Sequence, residues 1–135
     1  DDYRFLSNFY LAEFVWDGII WPHSEAAYQA AKTLDRETRL RFSSMAPVVS
    51  KRAGKLIDLR EDWNDVKVDI MTEIVRSKFS QNPVLREKLL ATENALIVEG
   101  NQHGDNFWGR CPPSNKSGKN WLGEILMRLR TEWQD

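Results

Sequence analysis

Glu25, Gln29 and Lys32 fall at i, i+4 and i+7 of an Ala-rich segment, so a helix there carries a carboxylate, an amide and an amine along one stripe. A carboxylate near a helix N-terminus is stabilised as the anion. That suits a base, or a group that stabilises a cation, better than an acid. The bland alternative is a solvated stripe of charge on a surface helix. Two features speak for chemistry: Glu25 directly follows the expected cap, and its neighbours are small or aromatic.

A second cluster is Glu99-Gly100-Asn101-Gln102-His103-Gly104-Asp105-Asn106-Phe107-Trp108-Gly109. Polar groups between glycines make a good ligand loop, with Asp105 as a second candidate carboxylate. Trp108 followed by Gly109 sets an indole beside bare backbone, suited to stacking a flat group. The alternatives are an Ω-loop capped by its own aromatics and, for His103, a turn residue in place of a metal ligand. A third cluster, Gly118-Lys119-Asn120, opens the terminal helix, where free N–H groups would form an anion or carbonyl site. Neither a P-loop nor G-x-G-x-x-G, G-x-S-x-G or H-E-x-x-H occurs. Trp63, at the first position of a long helix, reads as a core residue or as a ring leaning over the helix end.

These groups need elements to hold them. Glu13–Trp16 and Ile19–Trp21 flank Asp17-Gly18, the preferred pair of a two-residue hairpin turn. Ser24 is placed as the N-cap of a helix reaching about Thr33. Short helices are expected after Asp35 and after Pro47 or Ser50. Asp62 is expected to cap the longest helix, about Trp63 to Ser80. Another helix starts at Asn82-Pro83, a strand is expected over Ala95–Val98, and a final helix over Asn120–Trp133. The expected fold class is mainly α (α+β): one compact domain over 1–135, with a small β-hairpin.

The chain has 135 residues, 19 basic and 20 acidic, a net charge of −1, which bounds it to about one domain. Residues 36–60 hold seven basic side chains against Glu37 and Asp58, and residues 61–75 hold five acids against Lys67. The local basic zone suits a phosphate-bearing ligand better than broad nucleic-acid wrapping, or it balances its acidic neighbour. Cys111 alone allows no internal disulfide, and with only His23 and His103 beside it a metal site is poorly supplied. No apolar run is long enough for a membrane span and no signal-peptide pattern opens the chain, so no membrane contact and a cytoplasmic location are expected. The Met residues stand at 45, 71 and 127, so the chain is expected to begin after processing or inside a longer polypeptide. Six Trp are many for this length; they are core, or include one or two stacking platforms.

Five blocks in order resemble the NADAR (YbiA-like) family: Phe5-Leu6-Ser7-Asn8-Phe9; Trp21-Pro22-His23-Ser24-Glu25 through Lys32; Trp63…Lys67…Met71…Lys78-Phe79; Asp105 through Gly109; and Gly118-Lys119-Asn120-Trp121 through Met127. The resemblance implies a mostly helical N-glycosidase that needs no metal or cofactor. Two substrate classes are implied: ADP-ribose on a nucleobase, chiefly guanine in DNA or RNA, whose removal reverses ADP-ribosylation; and phosphorylated early intermediates of riboflavin biosynthesis. A non-catalytic ADP-ribose or nucleotide reader is the alternative of another class.

By the resemblance, Glu25 takes the acidic catalytic position and Lys32 that of the helix lysine, with Trp63 and Trp108 as an aromatic clamp. Asn8, Asp105 and Asn120 match the remaining polar positions. Ser7, His23, Gln29, Gly109 and Gly118, within the same blocks, are candidate substrate contacts, and Lys51 and Lys55 with Arg52 are candidate phosphate contacts. The other four Trp (16, 21, 121 and 133) are then expected in the core. Nothing in the sequence specifies an oligomeric state.

Overall fold

The computed structural model describes residues 2–134. The chain divides into two compact units, Asp1–Leu85 and Arg86–Asp135. The first opens with a 3-10 turn, Arg4–Leu6, and a hairpin of β1 (Phe14–Trp16) and β2 (Ile19–Trp21). Asp17 and Gly18 have φ of 56° and 68°, the type I′ geometry that an Asp-Gly pair tolerates. The register Phe14↔Trp21 puts Phe14, Ile19 and Trp21 in the core. The Trp21 indole N–H donates to Trp16 O at 2.8 Å.

Four helices follow: α1 (Ser24–Ala30), α2 (Arg36–Phe42), α3 (Pro47–Gly54) and α4 (Trp63–Ser80). Helix α1 packs on α2, α3 and α4. Ala26, Ala27, Ala30 and Ala31 have no exposed surface, and such small side chains let neighbouring backbones come close. Helix α4 runs from Trp63 to Ser80 as its apolar spacing predicts, burying Ile70, Met71, Ile74, Val75 and Phe79. Helix α5 (Pro83–Leu90) begins in the first unit and ends in the second. The second unit ends in α6 (Trp121–Trp133), which buries Leu122, Ile125, Leu126 and Leu129.

Several sequence expectations change. Ser24 is not the cap of α1; that role falls to His23, whose side chain accepts from Ala26 N. The α-helix stops at Ala30, and tighter i→i+3 bonds carry the chain to Thr33. Asp62 sits at the N-cap of α4 without a side-chain capping bond, because Arg60 holds its carboxylate at 2.6 and 3.0 Å. Ala95–Val98 forms no strand. Its neighbouring backbone groups Ile97 O and Glu99 N pair with the Asn120 side-chain amide at 2.9 Å each, where a strand would need a second backbone.

The basic zone is largely balanced locally. Arg36 and Arg39 bind Asp17, Arg41 binds Glu37, and Arg60 binds Asp62. Lys51, Arg52 and Lys55 belong to α3 and its C-cap.

Candidate functional site

In the first unit, α1 presents Glu25 and Gln29, 8% and 5% exposed. Gln29 Nε2 donates to Glu25 Oε2 at 2.6 Å, the i,i+4 contact expected from the spacing. The other end of that amide is unusual: Gln29 Oε1 is buried and without a hydrogen-bond partner. It lies against Gly54, where an added Cβ would come within 1.8 Å of it. Gly54 is therefore bare so that the Gln29 amide can reach the carboxylate. Sequence spacing could not reveal this contact, which joins residues on two helices. Ser24 Oγ is a second buried orphan on the same helix.

Lys32 lies in the turn that follows α1, with its carbonyl accepting from Arg60 N at 2.8 Å. Its amine sits 5.8 Å from the Tyr28 ring centroid. Burial lowers the Lys32 pKa from its ordinary value. The Glu25 carboxylate opposes this, and the Lys55 and Lys67 ammonium groups lower it further. Lys32, in the turn after α1, thus feels one carboxylate from α1 and two ammonium groups, from the C-cap of α3 and from α4. Lys67 was legible only as part of a family block; its signal is the i+4 relation to Trp63, which rests on Tyr28 with centroids 5.3 Å apart. Tyr28 in turn precedes Lys32 by four residues.

The structure brings Glu25, Gln29, Lys32, Lys55 and Trp63 into this neighbourhood. Trp63 is 5% exposed, more buried than three of the four Trp expected as core. Of those, only Trp21 is fully buried. Trp16, Trp121 and Trp133 are partly exposed and carry the guanidinium groups of Arg39, Arg128 and Arg86 at 5.4, 5.2 and 4.4 Å. His23 is 1% exposed and both its ring nitrogens serve the backbone: Nδ1 accepts from Ala26 N at 3.1 Å and Nε2 faces Met45 O at 2.8 Å. Asn8 O accepts from Glu25 N at 3.1 Å, and Asn8 Nδ2 points to Met71 Sδ at 3.6 Å. Ser7 Oγ accepts from Phe9 N. Lys51 Nζ lies 5.9 Å from the Phe9 ring centroid.

In the second unit, the loop of residues 99–120 is bound chiefly to itself. Asp105 Oδ1 accepts from the amides of Phe107 and Trp108 at 3.0 and 2.9 Å. The Trp108 ring meets Phe107 edge-on. His103 N donates to Asn101 Oδ1, as a turn residue would. The backbone at Gly109 and Gly118 is crowded by Glu99 O and by Arg110 and Asn106, so these glycines permit close packing. Asn120 is fully buried with φ 53°. The expected free N–H groups at the start of α6 are not free. Lys119, Asn120, Trp121 and Leu122 donate to the carbonyls of Asn106, Gly109, Phe107 and Trp108.

Among the described residues no cluster of His, Cys, Asp and Glu could hold a metal, and no helix is long and apolar enough to cross a membrane.

A buried carboxylate, an amide bonded to it and a lysine of lowered basicity, gathered in one helical unit, are groups of the kind that nucleophilic or cation-stabilising chemistry uses. The NADAR domain pattern matches residues 1–134, and the chain belongs to the NADAR family. It is 42% identical to the N-glycosidase YbiA of Escherichia coli (strain K12), across 98% of this chain and 82% of that protein. The NMR structure of E. coli YbiA superposes with a TM-score of 0.86 at 39% identity, covering 98% of this chain and 79% of the other. A riboflavin biosynthesis protein of Vibrio vulnificus is 38% identical across 100% of this chain, which spans 37% of that longer protein.

Proposed function

We propose that this chain hydrolyses N-glycosidic bonds, as the name of its YbiA relatives says of them, and that its substrate is an ADP-ribosylated nucleobase, guanine in DNA or RNA foremost. The reaction reverses ADP-ribosylation and runs in the cytoplasm. The observation that carries the reading is the buried Glu25 carboxylate held by Gln29 at 2.6 Å, close enough to the partly buried Lys32 for its charge to act on that amine.

Cleavage of an N-glycoside builds positive charge at the anomeric carbon. The Glu25 carboxylate, oriented by Gln29, stabilises that charge. A lysine is nucleophilic only as the neutral amine, and burial beside Lys55 and Lys67 raises that fraction. Lys32 Nζ attacks the anomeric carbon of the opened sugar, the bond to the base nitrogen breaks, and the base leaves with a proton. The resulting Schiff base takes up water, which releases the sugar as its aldehyde and returns the free amine. Direct attack by water beside Glu25 gives the same products without an adduct. Lys51 and Lys55, with Lys67, supply positive charge for the substrate phosphates.

Incubation with DNA carrying ADP-ribosylated guanosine is expected to release ADP-ribose. Borohydride during turnover is expected to trap an adduct that Lys32→Ala loses. Absence of ADP-ribose release overturns the substrate assignment, and turnover with no trapped adduct favours direct attack by water. The names of the Vibrio vulnificus relative and of a 33%-identical chloroplastic riboflavin biosynthesis protein from Zea mays support a second reading. In that reading the substrate is a phosphorylated riboflavin precursor, and release of base from a pyrimidine ribosyl phosphate alone would establish it. Ligand binding with no turnover of either substrate would mark a non-catalytic reader.

A further inference from the structure

The segment Tyr3–Leu11 contains a single 3-10 turn, yet it is fixed at many points. Lys78, 1% exposed, donates its ammonium to Phe5 O at 2.7 Å and Ser7 O at 3.0 Å. Tyr10 N donates to Ser7 O at 3.2 Å, and Phe9 N to Ser7 Oγ at 3.1 Å. Burying an ammonium is costly unless it is well hydrogen-bonded; here that cost goes into giving an irregular segment one shape. Preorganisation of this kind is what a ligand site requires.

The shape is a cavity of about 490 Å³ lined by Arg4, Ser7, Phe9, Tyr10 and Leu11, within the size range of small-ligand pockets. Its chemistry is specific. Arg4 brings a guanidinium suited to phosphate. Phe9 is 38% exposed with Lys51 Nζ 5.9 Å from its centroid, and Tyr10 adds a second ring. None of these lining residues is a carboxylate. A guanidinium and flat rings in one lining fit a nucleotide. The cavity also adjoins the α1 site: Asn8, between the lining residues Ser7 and Phe9, gives its carbonyl to Glu25 N.

We propose that this cavity is a distal subsite for the adenosine phosphate arm of the substrate, with Arg4 on the phosphate and the Phe9 ring under the base. The proposal rests on the functional reading above and deepens it, because such a subsite selects ADP-ribosyl substrates over short ribosyl phosphates.

Calorimetric titration with AMP, ADP-ribose and ribose 5-phosphate tests it on the full chain. Arg4→Ala is expected to weaken AMP and ADP-ribose by about tenfold, the worth of one charge-assisted hydrogen bond, and to leave ribose 5-phosphate within about twofold. Arg4→Lys should recover part of the loss, and Phe9→Ala should repeat the pattern. Arg4 is exposed, so an unchanged melting temperature is expected to accompany the loss. Equal loss for all three ligands, no loss, or no AMP binding by the wild type overturns the subsite. Failure of the functional reading is distinguishable: ADP-ribosyl-guanosine would stay uncleaved while AMP binding still depended on Arg4.

Discussion

The starts of α1 and α6 are built from similar residue types and treated in opposite ways. At α6 almost every polar group nearby is spent on the protein's own backbone. The first amides meet loop carbonyls, Asn120 bridges Ile97 and Glu99, and Asp105 holds two amides. Among the described residues of that unit, Arg130 Nε is the buried orphan, in the last turn of α6. At α1 the backbone is equally well served, by Asn8 and His23, but Ser24 Oγ and Gln29 Oε1 are left buried without partners. Native proteins rarely leave such groups unless function asks for it. Two carboxylates that look alike in sequence are thus engaged differently: Asp105 holds loop amides, whereas Glu25 meets a side-chain amide, and the chemistry proposed above assigns it the reaction.

The largest expected effects test that contrast directly. Glu25→Gln removes the charge and keeps the shape, so turnover should fall by about a thousandfold or more, with ligand binding within about tenfold. Asp105→Asn keeps an acceptor oxygen for Phe107 and Trp108, so turnover should stay within about tenfold of wild type. Steady-state release of the base measures both. A thousandfold loss in Asp105→Asn would break the comparison and return Asp105 to the reaction. Wild-type turnover in Glu25→Gln would remove the catalytic site from α1.

Sequence reasoning succeeded where a rule acts over a few residues. The Asp17-Gly18 turn, the start of α2 after Asp35 and the 18-residue α4 all follow from local spacing. The Glu25–Gln29 bond follows from helical periodicity in the same way. It failed where a side chain stands in for backbone. The Ala95–Val98 run has strand-forming residues, but an asparagine amide occupies the place of a neighbouring strand. The anion site expected at α6 failed for a related reason, because folded loop carbonyls reached the helix amides first. Gly54 was invisible because its importance lies in what it lacks, opposite a residue 25 positions away.

Gly54 gives the next prediction down in size. A methyl group at Gly54 meets Gln29 Oε1 at 1.8 Å and Cδ at 2.6 Å, so the amide must swing off Glu25 or the helices must part. Gly54→Ala should lower kcat by about tenfold and destabilise the fold by about 1–3 kcal/mol, the usual range for overpacking. Adding Gln29→Ala removes the clashing atoms. The double variant should regain stability in urea unfolding while kcat remains low, because the carboxylate still lacks its orienting amide. Recovery of kcat along with stability would show that Gln29 only fills space and that the α1 site needs no positioning.

The smallest effect concerns the cap that sets where α1 begins. Burial lowers the His23 pKa from 6.5, and the hydrogen bond to Met45 O opposes that shift. Because Nδ1 accepts from Ala26 N, the imidazole is neutral, with its proton on Nε2 facing Met45. The folded state therefore takes up a proton at lower pH than the unfolded chain does. Between the two values the unfolded chain binds more protons, so stability rises with pH through that window. It is complete above about pH 6.5 and drains away as the pH falls, until folded His23 itself protonates. Thermal unfolding from pH 8 to pH 5 should show a fall in melting temperature to which this group contributes, and His23→Asn, which keeps an acceptor for Ala26 N but does not titrate, should flatten the slope. An unchanged slope would mean that the α1 cap is not what acid attacks first, and that other ionisable groups govern the acid limb.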